Sequence, residues 1–577
     1  MLKKLFIALL GLQLTFVPFG SSQTKAATLI PLDGTISGSI EAAETGDVYQ
    51  IQLDKPGRIT LTTKTYLTGL KVKVVDQDEA TEFYSTNVWN GSPSEPKQDE
   101  ENLDLEAGTY YIKANKLDGY TGNYQLKLHF TPANNNDIEA NNSATSAQPL
   151  TLNANSIKGF LSKQDSIDYY KIQLDKPGRI NVTTKSYLSG INASIIASDE
   201  VTGVESDNIW NGSVEEPKSL TQTTDLEAGI YFIKIKSLDG YTGTYDLNVT
   251  YLGMNNQDVE PNQVIENAQS LFLDNKYTTG FISWSDNLDL YKMTLAKPGK
   301  ITLTAVSYFS GMKVELLDKE LDQTVVSSNI WNGTPSEPKR WEPGVDLEAG
   351  TYYLRVKNMD GYTGKYQLKL NYKAANNLDK TNNDTTNTAQ ELKLNSSLTG
   401  YITWSDYVDV YKIKLTKSGK ISFNTISYAS GLKVQLLKSN GVTAITSNNI
   451  WNGSTKSPKQ WGNTVSLSAG TYYLKVDKLD GYTGKYQIKV NLLDTTPPSQ
   501  PKVNKVKANS SYITGKTEAY ASVSAYVGKS KIGSAKADKN GYYKMKISRK
   551  KSGTSITIYA KDKTGNTSKS TKIKVSK

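Results

Sequence analysis

Two recurring strings, Trp-Asn-Gly and Asp-Gly-Tyr-Thr-Gly, place aromatic rings beside glycines. Their rings belong to Trp89, Trp210, Trp331 and Trp451 in the first string and to Tyr120, Tyr241, Tyr362 and Tyr482 in the second. Aromatic rings in loops can stack on sugar faces or pack against a peptide, while their polar ends form hydrogen bonds. We predict that these residues bind a ligand. The alternative is that Asn-Gly and Asp-Gly form tight turns and the rings only cover the ends of the domains.

The spacing of these strings reveals four repeats. The tryptophans follow one another at intervals of 121, 121 and 120 residues. This period is far longer than the roughly 20–50 residues of solenoid repeats, and each copy is long enough to bury a core of its own. We therefore predict four tandem domains, called repeats 1 to 4, of which the first is shortened at its N-terminus. Their predicted bounds are 28–132, 133–253, 254–374 and 375–495.

The positions of apolar residues within each repeat predict strands. In 365–372, Tyr366, Leu368, Leu370 and Tyr372 fall on one face, and polar residues fall on the other. Alternation of this kind is typical of half-buried antiparallel strands, and Pro-Gly pairs such as Pro177-Gly178 mark the turns between them. The chain is therefore predicted to be all-β, with one β-sandwich per repeat. Between the repeats, segments rich in Asn and Asp, such as 134–142, are interpreted as linkers.

The C-terminal part differs from the repeats in its charge. From Pro497 to Lys577 there are 19 Lys and Arg against three acidic residues, a net charge of +16. Short alternating stretches such as 555–560 predict a further β-domain at 496–577. The most basic segment contains Lys544, Lys546, Arg549, Lys550 and Lys551. A net charge of roughly 2–8 is enough to keep a small domain soluble, so we predict salt-sensitive binding to an anionic cell-wall polymer. The alternative is a face that serves only solubility.

The N-terminus indicates export. Lys3 and Lys4 precede an apolar run from Leu5 to Phe19, and small residues follow as far as Ala27. This order is typical of a secretory signal peptide, here residues 1–27, and the run is shorter than the roughly 20 residues of a membrane span. We expect no transmembrane segment. The mature protein is predicted to be secreted and retained non-covalently at the cell wall, with no nucleic-acid partner.

Few residues of the chain are suited to catalysis. Cys is absent, which excludes disulfides and thiolate chemistry, and the single His, His129, lies on the polar face of a predicted strand. The other repeats carry Thr250, Asn371 and Asn491 at this position. Paired acids are the remaining alternative, because glycoside hydrolysis needs only two carboxyl groups. They recur in predicted turns, with no larger domain to form a cleft, so we predict that the protein is not an enzyme.

The order of short motifs in each repeat resembles the bacterial pre-peptidase C-terminal (PPC) domain. In repeat 2 these motifs are Glu139-Ala-Asn141, Ala147-Gln-Pro-Leu150, Gly159, Asp165, Asp168-Tyr-Tyr-Lys171 and Ala228-Gly229. The resemblance implies a jelly-roll-like β-sandwich of the kind appended to secreted enzymes, including the collagen-binding domains of clostridial collagenases. In this sequence no peptidase domain precedes the repeats. The tail, with Asp538-Lys-Asn-Gly541 and Asp562-Lys-Thr-Gly-Asn566, resembles a bacterial Ig-like domain.

The resemblance also implies Ca²⁺ sites, because collagenase members hold calcium between their linker and a later pair of Asp residues. Carried over, the ligands are Glu139, Asn141, Asn142, Asp165 and Asp168 in repeat 2, and Glu260, Asn262, Asp286 and Asp289 in repeat 3. Repeat 4 has Thr381 in place of the glutamate, and repeat 1 keeps only Glu44 and Asp47. The alternative is that these residues solvate a linker and cap turns.

Together these features predict a secreted, non-enzymatic, multivalent adhesion protein. Its repeats would engage an extracellular protein or polysaccharide, because tandem copies turn weak contacts into avidity. Its basic tail would attach it to the bacterial surface. The alternative function is that of a structural spacer or accessory factor for a separately encoded secreted enzyme.

Overall fold

The computed structural model describes residues 27–577, so all but the last residue of the predicted signal peptide lies outside the described part. Strands make up almost all of its regular structure, together with two single-turn 3-10 helices at Ala144–Ser146 and Ile265–Asn267. The all-β prediction is confirmed. Within residues 27–577, the structure contains no helix with the length and apolar character that crossing a membrane requires.

The chain folds into two compact units. The first contains the described residues up to Asn256, together with Phe281–Asn287 and Thr363–Lys365. The second contains Gln257–Gly280, Leu288–Tyr362 and Tyr366–Lys577.

Repeat 1 consists of two sheets formed by nine strands. The strands are β1 (Thr28–Leu29), β2 (Thr35–Ile40), β3 (Gly46–Leu53), β4 (Gly57–Thr65), β5 (Gly69–Asp76), β6 (Glu82–Trp89), β7 (Lys97–Leu105), β8 (Gly108–Lys116) and β9 (Gly122–Pro132). One sheet has the order β1-β3-β8-β5-β6 and the other has the order β2-β9-β4-β7. Apart from the parallel pair β1–β3, the neighbouring strands are antiparallel.

Repeat 2 has the same arrangement. Its strands are β10 (Gln148–Pro149), β11 (Ile157–Leu161), β12 (Ile167–Leu174), β13 (Gly178–Ser186), β14 (Gly190–Ala197), β15 (Gly203–Trp210), β16 (Lys218–Leu226), β17 (Gly229–Ser237) and β18 (Gly243–Gly253). The sheet orders are β10-β12-β17-β14-β15 and β11-β18-β13-β16, which match those of repeat 1 strand for strand.

Repeat 3 differs in one strand, which Pro343 interrupts because proline has no N–H to donate. The strands are β19 (Gln269–Ser270), β20 (Tyr277–Ile282), β21 (Leu288–Leu295), β22 (Gly299–Ser307), β23 (Met312–Leu317), β24 (Thr324–Ile330), β25 (Lys339–Trp341), β26 (Gly344–Leu347), β27 (Gly350–Asn358) and β28 (Gly364–Ala374). The sheet orders are β19-β21-β27-β23-β24 and β20-β28-β22-β25, and β26 also pairs with β22.

Repeat 4 returns to nine strands. They are β29 (Gln390–Glu391), β30 (Ser396–Ile402), β31 (Val408–Leu415), β32 (Gly419–Ser427), β33 (Gly431–Leu437), β34 (Ala444–Trp451), β35 (Lys459–Leu467), β36 (Gly470–Lys478) and β37 (Gly484–Leu493). The sheet orders are β29-β31-β36-β33-β34 and β30-β37-β32-β35.

The basic tail forms two smaller sheets. Its strands are β38 (Lys502–Val503), β39 (Tyr512–Lys516), β40 (Ser522–Val527), β41 (Ser530–Lys536), β42 (Tyr542–Lys546), β43 (Ser555–Lys561) and β44 (Thr571–Lys574). The orders are β38-β39-β42 and β41-β40-β43-β44. A core of buried apolar side chains, including Ile513, Val523, Met545 and Ile558, lies within the tail.

Alternating apolar side chains fill the space between the two sheets of a repeat, and a pair of tyrosines joins the sheets. In repeat 2, Tyr170 on β12 and Tyr245 on β18 share a hydrogen bond of 2.6 Å between their hydroxyls. A Cβ atom on Gly159 would lie 2.2 Å from Cζ of Tyr245, so only glycine leaves room for this ring. The equivalent pairs are Tyr49–Tyr124, Tyr291–Tyr366 and Tyr411–Tyr486.

The segment 134–142, interpreted from the sequence as a linker, is held against the sandwich of repeat 2. The N–H of Asn136 donates to the carbonyl of Lys158 (3.0 Å), and the N–H of Lys158 donates to Oδ1 of Asn136 (2.7 Å). Farther along, the N–H of Tyr169 donates to the carbonyl of Asn141 (2.7 Å). Polar composition predicts a linker, and in the structure the polar groups hold this linker against the sandwich.

Candidate functional site

Three carboxylates converge at one end of repeat 2. Asp137 and Glu139 come from the segment before the sandwich, and Asp168 comes from β12, where it is fully buried. One oxygen from each lies within 4.8 Å of the others. Ca²⁺ binds oxygens at about 2.4 Å, so ligands on opposite sides of the ion are about 4.8 Å apart. The spacing of the three carboxylates therefore fits a shared Ca²⁺ ion.

The amide of Asn141 lies between two of these carboxylates. With its nitrogen facing them, it donates to Glu139 Oε2 (3.3 Å) and to Asp168 Oδ1 (2.9 Å). Half a turn of the amide presents its oxygen instead. The fully buried Asn141 can therefore stabilise the carboxylates by donating hydrogen bonds to them. With its oxygen turned toward them, it can instead join them as a fourth oxygen ligand.

Asp165 and Asn142 lie beside this cluster. Asp165 is only 6 % exposed, and its Oδ1 has no hydrogen-bond partner among the described residues. It lines an open cleft of about 870 Å³ together with Asp137, Glu139 and the exposed Asn142. A hydrogen bond from its N–H to Oγ of Ser162 (3.0 Å) fixes the turn that carries it.

The electrostatics of the cluster reflect uncompensated negative charge. Burial, with the nearby charges of Asp165, Glu139 and Asp137 as a further cause, raises the pKa of Asp168 to about 9. Burial and the charge of Asp165 raise the pKa of Glu139 to about 7, and burial raises the pKa values of Asp137 and Asp165 to about 6. A bound cation would remove this repulsion and keep the carboxylates ionised.

Repeat 3 repeats the central cluster. Oxygens of Asp258, Glu260 and Asp289 again lie within 4.8 Å of one another. Asn262 donates from Nδ2 to Glu260 Oε1 (2.6 Å) and to Asp289 Oδ1 (2.9 Å). Asp286 is buried, and its N–H donates to Oγ of Ser283 (3.1 Å); it lies in the segment Phe281–Asn287 that belongs to the first unit.

Repeats 4 and 1 hold partial versions of this arrangement. In repeat 4, Asn383 and Asp409 are fully buried, the carbonyl of Asn383 accepts from the N–H of Val410 (2.8 Å), and Thr381 stands where the glutamate would be. Burial raises the pKa of Asp406 to about 7. In repeat 1, Asp47 accepts a hydrogen bond from the hydroxyl of Tyr124 (2.6 Å), and no linker precedes it in the described part of the chain.

The first acid of each linker was missed by sequence reasoning. Asp137, Asp258 and Asp379 occupy equivalent positions, two residues before the glutamate or its replacement. Each of Asp137 and Asp379 also accepts from a strand N–H through Oδ2, from Phe160 at 3.2 Å and from Tyr401 at 2.8 Å. Its recurrence in all three linkers was the available signal, but polar residues in linkers are usually only solvated.

The structure brings the two aromatic strings together at a glycine. A Cβ atom on Gly190 would lie 2.8 Å from the Trp210 ring and 2.9 Å from the Tyr241 ring. Gly311 and Gly431 have the same relation to the Trp and Tyr of repeats 3 and 4, and Gly69 lies against Trp89. The four tryptophans are 39–43 % exposed and the four tyrosines 42–49 % exposed. Each ring thus packs on one side and is open to solvent on the other, above a floor without a side chain.

The second string has another role that the sequence did not suggest. Its threonine in repeat 2, Thr242, donates to Asp104 of repeat 1 (2.8 Å), and Arg58 holds the same carboxylate through two bonds of 2.9 and 2.7 Å. In the same way Thr363 donates to Asp225 (2.8 Å), and Thr483 donates to Asp346 (2.7 Å). This string therefore joins neighbouring repeats as well as presenting a ring.

The basic tail presents lysines and tyrosines on the outer face of one sheet. Tyr512 pairs with Lys546, and Lys516 pairs with Tyr542 across β39 and β42, and all four side chains are exposed. Lys544 lies 4.5 Å from the centre of the Tyr512 ring, and Lys516 lies 4.8 Å from that of Tyr542. These cation–π contacts hold the lysine ammonium groups at the surface. Because a tyrosine ring carries no net charge, the ammonium groups keep their positive charge.

One family model and several known bacterial proteins match parts of this chain. Residues 497–577 match the model of the bacterial Ig domain family. Collagenase ColA of Clostridium perfringens is 24% identical over 241 residues, covering 40% of this chain and 21% of the collagenase. The cell wall-associated protease of Bacillus subtilis is 37% identical over 107 residues, covering 18% of this chain and 12% of the protease. The chain thus spans about a fifth or less of the length of these relatives.

Among solved structures, the pre-peptidase C-terminal domain of a Bacillus anthracis collagenase aligns with 18% of this chain and 94% of its own, at 24% identity and a TM-score of 0.16. A further sequence relative is collagenase ColT of Clostridium tetani. It is 29% identical over 154 residues, which are 25% of this chain and 15% of that protein. The sequence-based resemblance to collagenases and to bacterial Ig domains is confirmed. Residues 497–577 are thus similar to bacterial Ig domains, and parts of the chain are similar to clostridial collagenases.

Proposed function

We propose that the protein is a non-enzymatic, extracellular binding protein whose repeats engage a polymer through their Trp–Tyr pairs. The observation that carries this proposal is that pairs of half-exposed rings meet over a glycine in repeats 2, 3 and 4. Two half-exposed rings beside a bare backbone floor offer apolar surface on which a sugar or a peptide backbone can stack. Several such surfaces on one chain bind a repetitive ligand with avidity.

The ligand is an extracellular protein or polysaccharide. Two relatives are collagenases, which supports fibrous collagen as the first polymer to test. Peptidoglycan, chitin and cellulose are the glycan arms of the same experiment. The half-exposed ring pairs suit an extended polymer better than a small molecule, because a small ligand binds in an enclosed pocket that buries most of its surface.

Calcium has a structural role in this proposal. Asp137, Glu139, Asp168 and Asn141 would hold one ion in repeat 2, and Asp258, Glu260, Asp289 and Asn262 would hold one in repeat 3. The ion supplies positive charge that offsets the repulsion of the buried acids. The ligands come from both the linker segment and the sandwich. Calcium binding would therefore strengthen the attachment of this segment to the sandwich of its repeat.

The tail attaches the protein to the bacterial surface by charge. Its net charge of +16 and the exposed lysines of β39 and β42 suit an anionic cell-wall polymer. Similarity to a cell wall-associated protease supports this location. Attachment without a covalent bond is sensitive to salt, because counterions screen exposed charges. Lys544→Glu combined with Lys546→Glu should weaken retention on teichoic acid in low salt, whereas Lys365→Glu in repeat 3 should not.

Co-sedimentation with insoluble polymers tests the binding proposal. The protein from residue 28 onward should pellet with at least one of the four polymers. Replacement of Trp89, Trp210, Trp331 and Trp451 by Ala should abolish pelleting, whereas Phe272→Ala, which removes an exposed apolar ring of repeat 3 (70 % exposed), should leave it unchanged. Equal pelleting of the tryptophan variant, or no pelleting of the wild-type protein, would contradict ligand binding by these rings.

A spacer function is the second candidate, and the threonine–aspartate contacts favour it. Each contact bonds a threonine of one repeat to an aspartate of the repeat before it, and a rigid connecting element requires such contacts between its domains. The spacer function predicts no affinity for any of the four polymers, together with a stiff array. Co-sedimentation therefore distinguishes the two functions.

A further inference from the structure

A glutamate of repeat 1 faces the candidate calcium site of repeat 2. Glu106 follows β7, and it lines the same cleft as Asp137, Glu139 and Asp165. We call this space, about 870 Å³ in volume, the junction cleft. Oε1 of Glu106 is shielded from solvent and has no hydrogen-bond partner among the described residues. Burial, followed by the charges of Glu139 and Asp137, raises the pKa of Glu106 to about 7.

The cleft contains a second acid whose oxygen is left without a partner. Asp165 is more than nine-tenths buried, and its Oδ1 makes no hydrogen bond in the described part of the chain. Burying an ionised carboxylate oxygen without a donor is costly unless a cation compensates it. Two such oxygens belong to residues of different repeats that line one cleft, and a shared divalent cation would satisfy both.

The backbone around Glu106 is fixed toward repeat 2. The hydroxyl of Tyr110 on β8 lies 3.0 Å from the carbonyl of Glu106 and 3.0 Å from Oε1 of Gln164 in repeat 2. Lys163 donates to the carbonyl of Phe83 in repeat 1 (2.6 Å). These bonds hold the turn that carries Glu106 next to the turn that carries Asp165.

Part of this acid pattern recurs between repeats 3 and 4. Burial raises the pKa of Glu348, the residue equivalent to Glu106, and the charges of Asp379 and Asp384 from the next linker raise it further. Repeat 4, which is followed by the Ig domain, has Ser468 at this position. It also has Ser466 where the other repeats carry Asp104, Asp225 and Asp346. Both acids are thus replaced in the one repeat that has no similar repeat after it.

We propose that Glu106 completes the cation site of repeat 2, so that Ca²⁺ binds at the junction and couples repeats 1 and 2. This inference rests on the proposed calcium sites and adds a ligand from the preceding repeat. Without the cation, the carboxylates of the cleft repel one another across the junction. With it, each carboxylate that binds the ion is attracted to the same positive charge, so the cation offsets the repulsion.

Calcium titration by calorimetry of the protein from residue 28 onward is the first test. Glu106→Gln should weaken one site by about tenfold or more, since affinity follows the number of charged ligands. Glu100→Gln removes an equal charge from exposed β7, where the side chain accepts only from Thr62 (3.0 Å), and should change nothing. Unchanged affinity in Glu106→Gln would overturn the inference.

Thermal unfolding gives a readout that a merely structural glutamate would not move. In EDTA, Glu106→Gln removes one repelling charge and should raise the melting temperature of the junction. In calcium it removes a ligand and should lower that temperature. A shift of the same sign in both conditions would contradict a role in binding the cation.

A distance measurement tests the coupling itself. The chain has no Cys, so Asn87→Cys in repeat 1 and Asp207→Cys in repeat 2, both at exposed strand positions, can carry the only spin labels. The label-to-label distance should be narrowly distributed in calcium and broad in EDTA. It should stay broad in calcium when Glu106 is Gln, and a narrow distribution in that variant would overturn the coupling.

The controls separate this inference from the calcium proposal beneath it. If the wild-type protein released or absorbed no heat on titration with calcium, both the calcium sites and the role of Glu106 would be contradicted. Binding that is lost in Glu139→Gln but unchanged in Glu106→Gln would leave the site within repeat 2 and overturn only the contribution of repeat 1.

Discussion

Thr242 of repeat 2 donates a hydrogen bond of 2.8 Å to Asp104 of repeat 1, across 138 positions of the sequence. The carboxylate that accepts it is almost fully buried and is also held by Arg58. The junction therefore contains a charge-assisted hydrogen bond in a shielded place, where such bonds are strongest.

Thr242→Val should loosen this junction. The substitution keeps the shape of the side chain but removes its donor, which should lower the free energy of unfolding by about 1 kcal/mol. The measurement is denaturation by urea. Thr121→Val changes the same position of repeat 1, where the threonine is exposed and contacts no preceding repeat in the described residues, and should have no effect. Equal losses in both variants would show that the junction contributes nothing.

Tyr245→Phe should destabilise repeat 2. The hydroxyl of Tyr245 bonds both Tyr170 and the buried Asp168, so its removal leaves buried polar groups without a partner. The expected cost is about 1–3 kcal/mol in the free energy of unfolding. Tyr241→Phe, which removes a hydroxyl from a half-exposed ring, is the control and should change stability little. A neutral Tyr245→Phe would show that the tyrosine pair is not a link between the sheets.

Gly159→Ala tests why the repeats need glycine opposite this tyrosine. The added methyl group would lie 2.2 Å from Cζ of Tyr245, and overpacking of this kind costs about 1–3 kcal/mol. Gly203→Ala adds the same group where nothing lies within 4 Å, and should change stability by less than about 1 kcal/mol. The measurement is the melting temperature of each variant. Equal melting temperatures for Gly159→Ala and Gly203→Ala would contradict the steric argument.

Stability without calcium should fall as the pH rises. The pKa of Asp168 is about 9 and that of Glu139 about 7 in the folded protein, against roughly 4 for both in an unfolded chain. Between these values the folded state binds more protons than the unfolded state, so the free energy of unfolding decreases from about pH 4 to about pH 9.

Melting temperatures in EDTA across this range measure the slope. Saturating calcium should flatten it, because the ion keeps the carboxylates ionised in the folded state. Glu139→Gln removes one of the titrating groups and should reduce the slope in EDTA. A slope of the opposite sign in EDTA would contradict the electrostatic account of the cluster.

The sequence by itself determined the repeats, the all-β class and the nature of the tail. Alternation in stretches such as 365–372 is a local property, because neighbouring side chains of a strand point to opposite faces whatever surrounds them. The interval between tryptophans and the excess of lysines after Pro497 are equally independent of folding. The grouping of Glu139 with Asp168 was predicted only by resemblance to a family.

Only the tertiary structure decided which side chains meet. Asp137 joins Glu139 and Asp168 because hydrogen bonds fix its segment on β11, and a polar composition gives no sign of that. Glu106 reaches the cleft of repeat 2, and Thr242 reaches Asp104, because repeats 1 and 2 contact each other in the folded chain. Contacts between residues so far apart in sequence depend on how whole domains are placed, and no local pattern records that placement.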